Sequence, residues 1–391
     1  MTTVTPRDQQ ITQDEIFAAH EGGKLVTKST APLTSMRDLS IAYTPGVADV
    51  CRAIAEDPAK ARTYTGAGNT VAVVSDGSAV LGLGDIGPAA AMPVMEGKAQ
   101  LFSEFAGLNA VPIVLDTQDV DAIVETVVAM APSFGGINLE DISAPRCFEV
   151  ERRVKERLDM PVLHDDQHGT AVVVLAALRN AAQVLGRTLT DLQVVISGAG
   201  AAGVAIVDML LEAGVADIVV LDSKGAIHGD RADLTPVKKS LAARTNPRNV
   251  TGGVADALDG ADTFIGVSSG NITEEQLRHM AHQPILFSLA NPTPEIHPEL
   301  AARYGGVVAT GRSDLPNQIN NVLAFPGIFR GALDAHATKI TPAMLLAASR
   351  AIAEVAADAL DAGHIVPQAL DDRVAPAVAK AVAEAWDNGQ N

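Results

Sequence analysis

The chain has 391 residues, 47% of them hydrophobic and 19% charged, a composition that favours folded structure throughout and about two domains. Its formal net charge of −18 argues against a broad basic face for DNA, RNA or an anionic membrane, although a local cluster of donors or a metal ion would still serve a small anionic substrate. Two cysteines, Cys51 and Cys147, make no disulfide framework, and the polar start Met1 to Gln10 has no apolar signal core, so the expected compartment is the cytoplasm.

Short β-rich runs alternate with helical patterns, which predicts α/β architecture with largely parallel sheets. The first part gives strands over 70–74, 111–115 and 137–142, and helices over 89–105, 120–130 and 145–158. A charged helix then ends near Pro161, and the division into residues 1–161 and 162–391 is expected there. The second part gives strands over 162–164, 194–197, 218–221, 263–267, 285–289 and 307–309, then alanine-rich helices near 342–360 and 375–386. The longest apolar run, Ala171 to Leu178, is stopped by Arg179 and is too short to cross a bilayer. The active site is expected in the cleft between the two units, beyond the carboxyl ends of the strands.

Two stretches fit the glycine pattern of a dinucleotide-binding turn: Gly82-Leu83-Gly84-Asp85-Ile86-Gly87 and Gly198-Ala199-Gly200-Ala201-Ala202-Gly203. The second follows an apolar run, opens a helix pattern and precedes a strand ending at Asp222, about 20 residues on, where a ribose-binding acid belongs. It is therefore read as the nicotinamide-cofactor site. The first is followed by Pro88 and a longer helix, with the next strand-end acid, Asp116, too distant. It is read as a backbone turn with another task.

Acids gather at two predicted strand ends, Glu140-Asp141 and Asp165-Asp166. In extended chain, adjacent carboxylates point to opposite faces, so the two pairs supply three oxygen ligands for Mg²⁺ or Mn²⁺ and one group for proton chemistry. Either pair alone also suits a helix start. Both beside a nicotinamide site favour the metal. His164 and His168, four apart, permit a zinc-hydrolase reading, but the usual motif has glutamate after the first histidine, where this chain has Asp165. Lys98 sits among apolar neighbours on a helix, either snorkelling or desolvated with a lowered pKa suited to taking a proton. Tyr43, before the turn Thr44-Pro45-Gly46, is either a packing residue or a positioned phenol acid. The carboxamides of Asn291, Asn317, Gln318, Asn320 and Asn321 satisfy turns or donate to a substrate carboxylate or the nicotinamide amide.

The stretches Tyr43-Thr44-Pro45-Gly46-Val47, Val80 to Gly87, Met95-Glu96-Gly97-Lys98, Asn138-Leu139-Glu140-Asp141, Asp165 to Thr170 and Asn320-Asn321-Val322 occur in the order found in malic enzymes, and the chain resembles the short bacterial forms along nearly its whole length. The resemblance implies an N-terminal malic-type α/β domain followed by a Rossmann-like dinucleotide-binding domain. It implies an NAD(P)-dependent malate dehydrogenase (oxaloacetate-decarboxylating) that releases pyruvate and CO₂. Carried over residue by residue, Glu140, Asp141 and Asp166 are the metal ligands, Lys98 the base with Asp165 as its partner, and Tyr43 the acid that protonates C3 of enolpyruvate. Gly198, Gly200, Ala201, Gly203, Asp222, Ser223, Lys224 and Asn291 fall to the cofactor, and Asn320 and Asn321 to the substrate. The larger eukaryotic members carry a substrate-binding arginine just before the first glycine turn, where this chain has Ala79. Carboxylate recognition is then left to the metal, the asparagines or a partner subunit.

Two other readings stay open: malolactic chemistry with a retained cofactor, and a nucleotide-sensing homologue without catalysis. Asp222 favours NAD by repelling a 2′-phosphate, whereas Ser223 and Lys224 would bind one, which tips the expectation to NADP. No additional acyltransferase-like domain is expected after the C-terminal helices. The resemblance also implies a homodimer, with Lys98 the leading candidate to reach a neighbour's cleft.

Overall fold

A computed structural model describes residues 11–291 and 293–389; the polar start Met1 to Gln10, and Pro292 between Asn291 and Thr293, lie outside the described residues. The first sheet holds β1 (Thr70–Ser75), β2 (Asn109–Val114), β3 (Gly136–Leu139) and β4 (Val162–His164) in the order β2-β1-β3-β4, all parallel. The second holds β5 (Gln193–Ser197), β6 (Asp217–Asp222), β7 (Gly225–Ala226), β8 (Thr263–Gly266), β9 (Ile285–Ser288) and β10 (Val307–Thr310) in the order β10-β9-β8-β5-β6-β7. Only β7, a two-residue edge strand, runs antiparallel. The central strands are apolar on both faces because helices cover both faces of each sheet. Pro112, which donates no ladder hydrogen bond, is tolerated because β2 is an edge strand.

One expectation is corrected. The strand 162–164, expected to open the second series, belongs to the first sheet, because β4 pairs with β3. Its three residues follow a helix and precede one, as a strand of either sheet would, and only pairing decides the matter. The sheets separate at His164, and the helix Asp165–Val184 connects them, buried without interruption from Ala171 to Leu178. The apolar run thus marks a buried interior helix. Among the described residues no helix is long and apolar enough to cross a membrane.

The helix Pro88–Ala106 begins with Pro88 in its first turn and ends on Gly107 at φ 60°, the left-handed residue that closes many helices. Met95, Lys98, Ala99 and Phe102 share its buried face at the spacing of helical turns. Phe102 meets Phe325 and Phe329 edge-on, with ring centroids 4.7 and 5.4 Å apart, and so ties this helix to the helix Phe325–Asp334. One continuous apolar cluster runs from Val71 and Phe102 through Leu175 to Val194, Ile265 and Phe325. By contrast, the short helices Gln13–His20, Met36–Ala42 and Val47–Glu56 contribute no buried residue, although Thr12 and Ser35 cap two of them.

Truncating Phe102 to alanine removes both edge contacts from a fully buried site, and a cost of about 3–5 kcal/mol is expected in denaturant unfolding. A loss below about 1 kcal/mol would show that the aromatic junction does not hold the two helices together.

Candidate active site

The strand order sets where a ligand fits. From β5 the chain turns one way to β6 and returns to the other side of β5 at β8, which opens a crevice at the carboxyl ends of β5 and β8. Gly198, at φ 125°, lies in the turn that follows β5, and the helix Ala201–Glu212 starts immediately after Gly200. A Cβ at Gly203 would fall 1.9 Å from the Gly198 carbonyl oxygen, so glycine is required for the turn to pack on its helix. Ala201 and Ala202 at that helix start line the crevice, and the first turn of a helix carries N–H groups without intrahelical partners, as a pyrophosphate site requires. The first glycine stretch differs: Gly82, Gly84 and Gly87 all have positive φ, and Val80 pairs with Gly84 across a tight turn. That turn sets Ala79 and Leu81 on the cleft wall.

The crevice continues into a cavity of about 590 Å³ that joins the two sheets. Lys98, Glu140, Asp141, Asp166 and Thr170 line one side, and Ser268, Asn291, Asn320 and Asn321 the other. Lys98 is the one cationic side chain among the described lining residues, so no arginine replaces the one missing at Ala79.

The acids converge by a route other than extended chain. Asp141, just after β3, takes a left-handed φ of 52°, a conformation that costs a non-glycine residue free energy and recurs at functional sites. Asp165 and Asp166 form the first turn of the connecting helix, which sends them in different directions. Asp166 Oδ2 accepts the Asp141 backbone N–H at 2.8 Å, and carboxylate oxygens of Glu140, Asp141 and Asp166 lie within 4.8 Å of one another. Asp165, fully buried, accepts from Lys98 Nζ at 2.6 Å, while Glu140 Oε1 lies 2.8 Å from the same nitrogen. Asn138 Nδ2 donates to the other Glu140 oxygen at 2.7 Å. A Cβ at Gly169 would fall 1.8 Å from Asp165 Oδ1, so glycine one turn on makes room for the carboxylate.

The electrostatics follow from four carboxylates, three buried and that of Asp166 partly buried, facing one ammonium. Burial, then neighbouring acids, push Asp141 up to about 9, and burial lifts Glu140 to about 7 and Asp166 to about 6 against the pull of Lys98. Asp165 rises to about 7 by burial, again opposed by Lys98. The expectation of a lowered lysine pKa is corrected: burial works against the ammonium, but Asp165 and Glu140 outweigh it and raise the pKa. Lys98 also reaches Asp165 of its own chain, which corrects the expectation that it serves a neighbour.

The histidines form no zinc pair. Glu151 accepts from the His164 backbone N–H at 3.1 Å, from Gln167 Nε2 at 3.2 Å and pairs with His168 Nε2 at 3.0 Å, which pins the segment carrying Asp165 and Asp166. The His164 ring is buried without a hydrogen-bond partner and stays neutral, its pKa pushed down to about 4 by burial. Asn317 and Gln318 serve the fold instead: the Asn317 amide donates to Val308 and Ala362, and Gln318 to Gly311. Tyr43 stands apart, 67% exposed at the end of the helix Met36–Ala42 and absent from the cavity wall.

At the far side of the crevice Asp222 ends β6 as expected, but its carboxylate is enclosed. Arg231 donates to both oxygens at 2.9 Å, Lys238 Nζ at 2.6 Å and the Lys224 backbone N–H at 2.9 Å. Burial opposes the anion, yet these donors hold its pKa at about 2. Ser223 and Lys224 are exposed beside it. Arg231, Lys238, Asn138 and Glu151 were not among the residues picked out from the sequence. Only Asn138, two positions before Glu140, lay within a recognised motif.

Comparison with known proteins agrees with this layout. The malic enzyme N-terminal domain profile matches residues 22–155 and the malic enzyme NAD binding domain profile residues 167–386. The chain is 58% identical to an NAD-dependent malic enzyme of Geobacillus stearothermophilus over 95% of its length and 78% of that protein's. It is 56% identical to a bifunctional malic/malolactic enzyme of Bacillus subtilis, over 93% and 90%. Among solved structures, it is similar to an NAD-dependent malic enzyme of Thermotoga maritima, with a TM-score of 0.91 at 48% identity over 95% of this chain and 99% of that one.

The raised carboxylate pKa values fix a sign for the pH dependence. Between the ordinary acidic range near 4 and the raised values, the folded chain binds more protons than the unfolded one, so stability in chelator is lost as pH rises through about 6 to 9. Asp166→Asn is expected to flatten that decline in thermal midpoint. An unchanged slope would remove the buried cluster as its source.

Proposed function

Since the chain belongs to the malic enzyme family, we propose that the cavity between its sheets oxidises and decarboxylates L-malate to pyruvate and CO₂ with reduction of NAD(P)⁺. The observation that carries this reading is the contact of Lys98 with Glu140 and Asp165 at the mouth of a dinucleotide crevice. An inactive nucleotide sensor would have no use for that buried pair.

The acidic cluster fits a hard divalent cation. Its donors are all carboxylate oxygens, they converge within 4.8 Å, and the buried Asp141 Oδ2 has no hydrogen-bond donor. Glu140, Asp141 and Asp166 would hold Mg²⁺ or Mn²⁺. When bound, the cation would supply Lewis acidity and the nicotinamide cofactor a hydride acceptor. The protein's own groups handle the protons. Lys98 passes one proton to Asp165 across their 2.6 Å contact, and the freed amine takes the malate C2 hydroxyl proton. Asn291, Asn320 and Asn321 offer amide donors to the substrate carboxylates and the nicotinamide carboxamide. Tyr43 then protonates C3 of enolpyruvate.

Tyr43 does this best from another subunit. It lies off the cavity wall of its own chain, and the segment around it exposes Phe17, Leu33, Met36 and Ile41, an apolar face that a second copy would cover. The reading is a homodimer in which each N-terminal segment completes the partner's cleft. The enclosed Asp222, flanked by Arg231, Lys238, Ser223 and Lys224, supports NADP over NAD, because two cations offset the acid's repulsion of a 2′-phosphate. The cytoplasm remains the proposed compartment.

Malate-dependent reduction of NADP⁺, faster than that of NAD⁺, with pyruvate as product is the expected outcome, lost in EDTA and recovered with Mn²⁺. Lactate without net NADPH would establish malolactic chemistry instead, a reading favoured only by the Bacillus subtilis relative. Full turnover without metal would sink the cation assignment.

Subunit exchange tests the shared site. Lys98→Ala and Tyr43→Phe chains are each expected to lose about 10²–10⁴-fold in the step they serve. Mixed, they should regain activity through composite clefts carrying both residues. A Lys98→Ala and Asp165→Ala mixture should not, because that pair lies within one chain. No recovery after demonstrated exchange of the first mixture would return Tyr43 to its own cleft.

A further inference from the structure

Most described arginines pair with a carboxylate, but Arg37, Arg62, Arg179, Arg187 and Arg350 do not, and the last three line a single cavity remote from the active site. This second cavity, of about 590 Å³, lies between the end of the connecting helix Asp165–Val184 and the end of the helix Pro342–Val355. Asn180 holds the two walls together by donating to the carbonyls of Ala353 at 3.0 Å and Ile365 at 2.9 Å.

The arginines are built in to different degrees. Arg187 donates to the His282 carbonyl at 2.6 Å and the Asp262 carbonyl at 3.5 Å, which fixes its guanidinium without neutralising it. Arg179 is half-buried, and its Nε is shielded from solvent with no acceptor. Burial and the like charge of Arg350 push the Arg179 pKa down, so the two guanidinium groups repel each other across the cavity. Glu354 is the one acid on the wall and makes no ion pair with any of them.

A cation in the last turn of a helix is ordinarily favourable, but neither Arg179 nor Arg350 lies in the last turn of its helix, so the helix dipole does not account for them. Nor does it account for three guanidinium groups lining one cavity without an ion pair in a chain with a net charge of −18. Such a cluster needs an anion to relieve its repulsion and to satisfy its planar donors.

We propose that this cavity is a binding site for a small multivalent anion bearing phosphoryl or carboxylate groups, held by Arg179, Arg187 and Arg350. The site is separate from the proposed catalytic cavity and lies at the opposite end of the helix that begins with Asp165 and Asp166. At a rise of about 1.5 Å per residue, Arg179 lies about 20 Å along that helix from Asp166.

Calorimetric titration of the full chain, saturated with NADP⁺ so that the cofactor turn is occupied, tests this with pyrophosphate and succinate in separate arms. At least one anion is expected to bind, and the arm that binds assigns the chemical class. Arg350→Glu, an exposed substitution that leaves the core intact, is expected to weaken that binding about tenfold or more. Arg179→Gln should do the same while malate turnover without added anion is retained. The proposal is overturned if neither anion binds, or if binding is unchanged in both variants.

Discussion

Four carboxylates and one ammonium share a buried space, and much of the molecule is arranged to keep them there. Isolated, any of these charges would be expelled from the interior or neutralised by a proton shift. Together they are tolerable because Lys98 touches Glu140 and Asp165, Asn138 donates to the other Glu140 oxygen and the Asp141 backbone donates to Asp166. The surplus of negative charge is the physical ground for the divalent cation proposed at the cluster. It also explains why the lysine is more firmly protonated than its apolar neighbours alone would permit.

The scaffold brings this cluster to the dinucleotide crevice through a single element. β3 and β4 deliver Glu140 and the first turn of the connecting helix at one sheet's carboxyl edge, and that helix then becomes an interior layer against the second sheet. Glu151 fixes the start of the helix, and Gly169 lets Asp165 fold back toward Lys98. Small errors at this junction would move Lys98 and the acids relative to the glycine turn after β5, and many contacts converge on these few residues.

The sequence makes the chemistry more legible than its geometry. Glycine spacing before a strand ending at Asp222 reveals the crevice, because a βαβ turn is a local event. The acidic pairs are visible for the same reason, although Asp165-Asp166 separates by helical twist and not by strand pleat. The charge state of Lys98 is hidden, since its partners lie far along the chain and only tertiary packing places them. The same holds for β4, whose three residues carry no mark of the sheet they join. Arg231 and Lys238 are close to Asp222 in sequence, but a loop brings them back, and loop paths leave little periodic signal.

The apolar cluster running through both sheets has a consequence for cooperativity. Val71 and Phe102 of the first half share one core with Val194 and Phe325 of the second, and the connecting helix has no exposed stretch to act as a hinge. Neither half closes its own interior when cut at the boundary between the sheets. Heating should therefore melt the two halves in a single transition, and the enzyme's architecture, although it reads as two modules, is one thermodynamic unit.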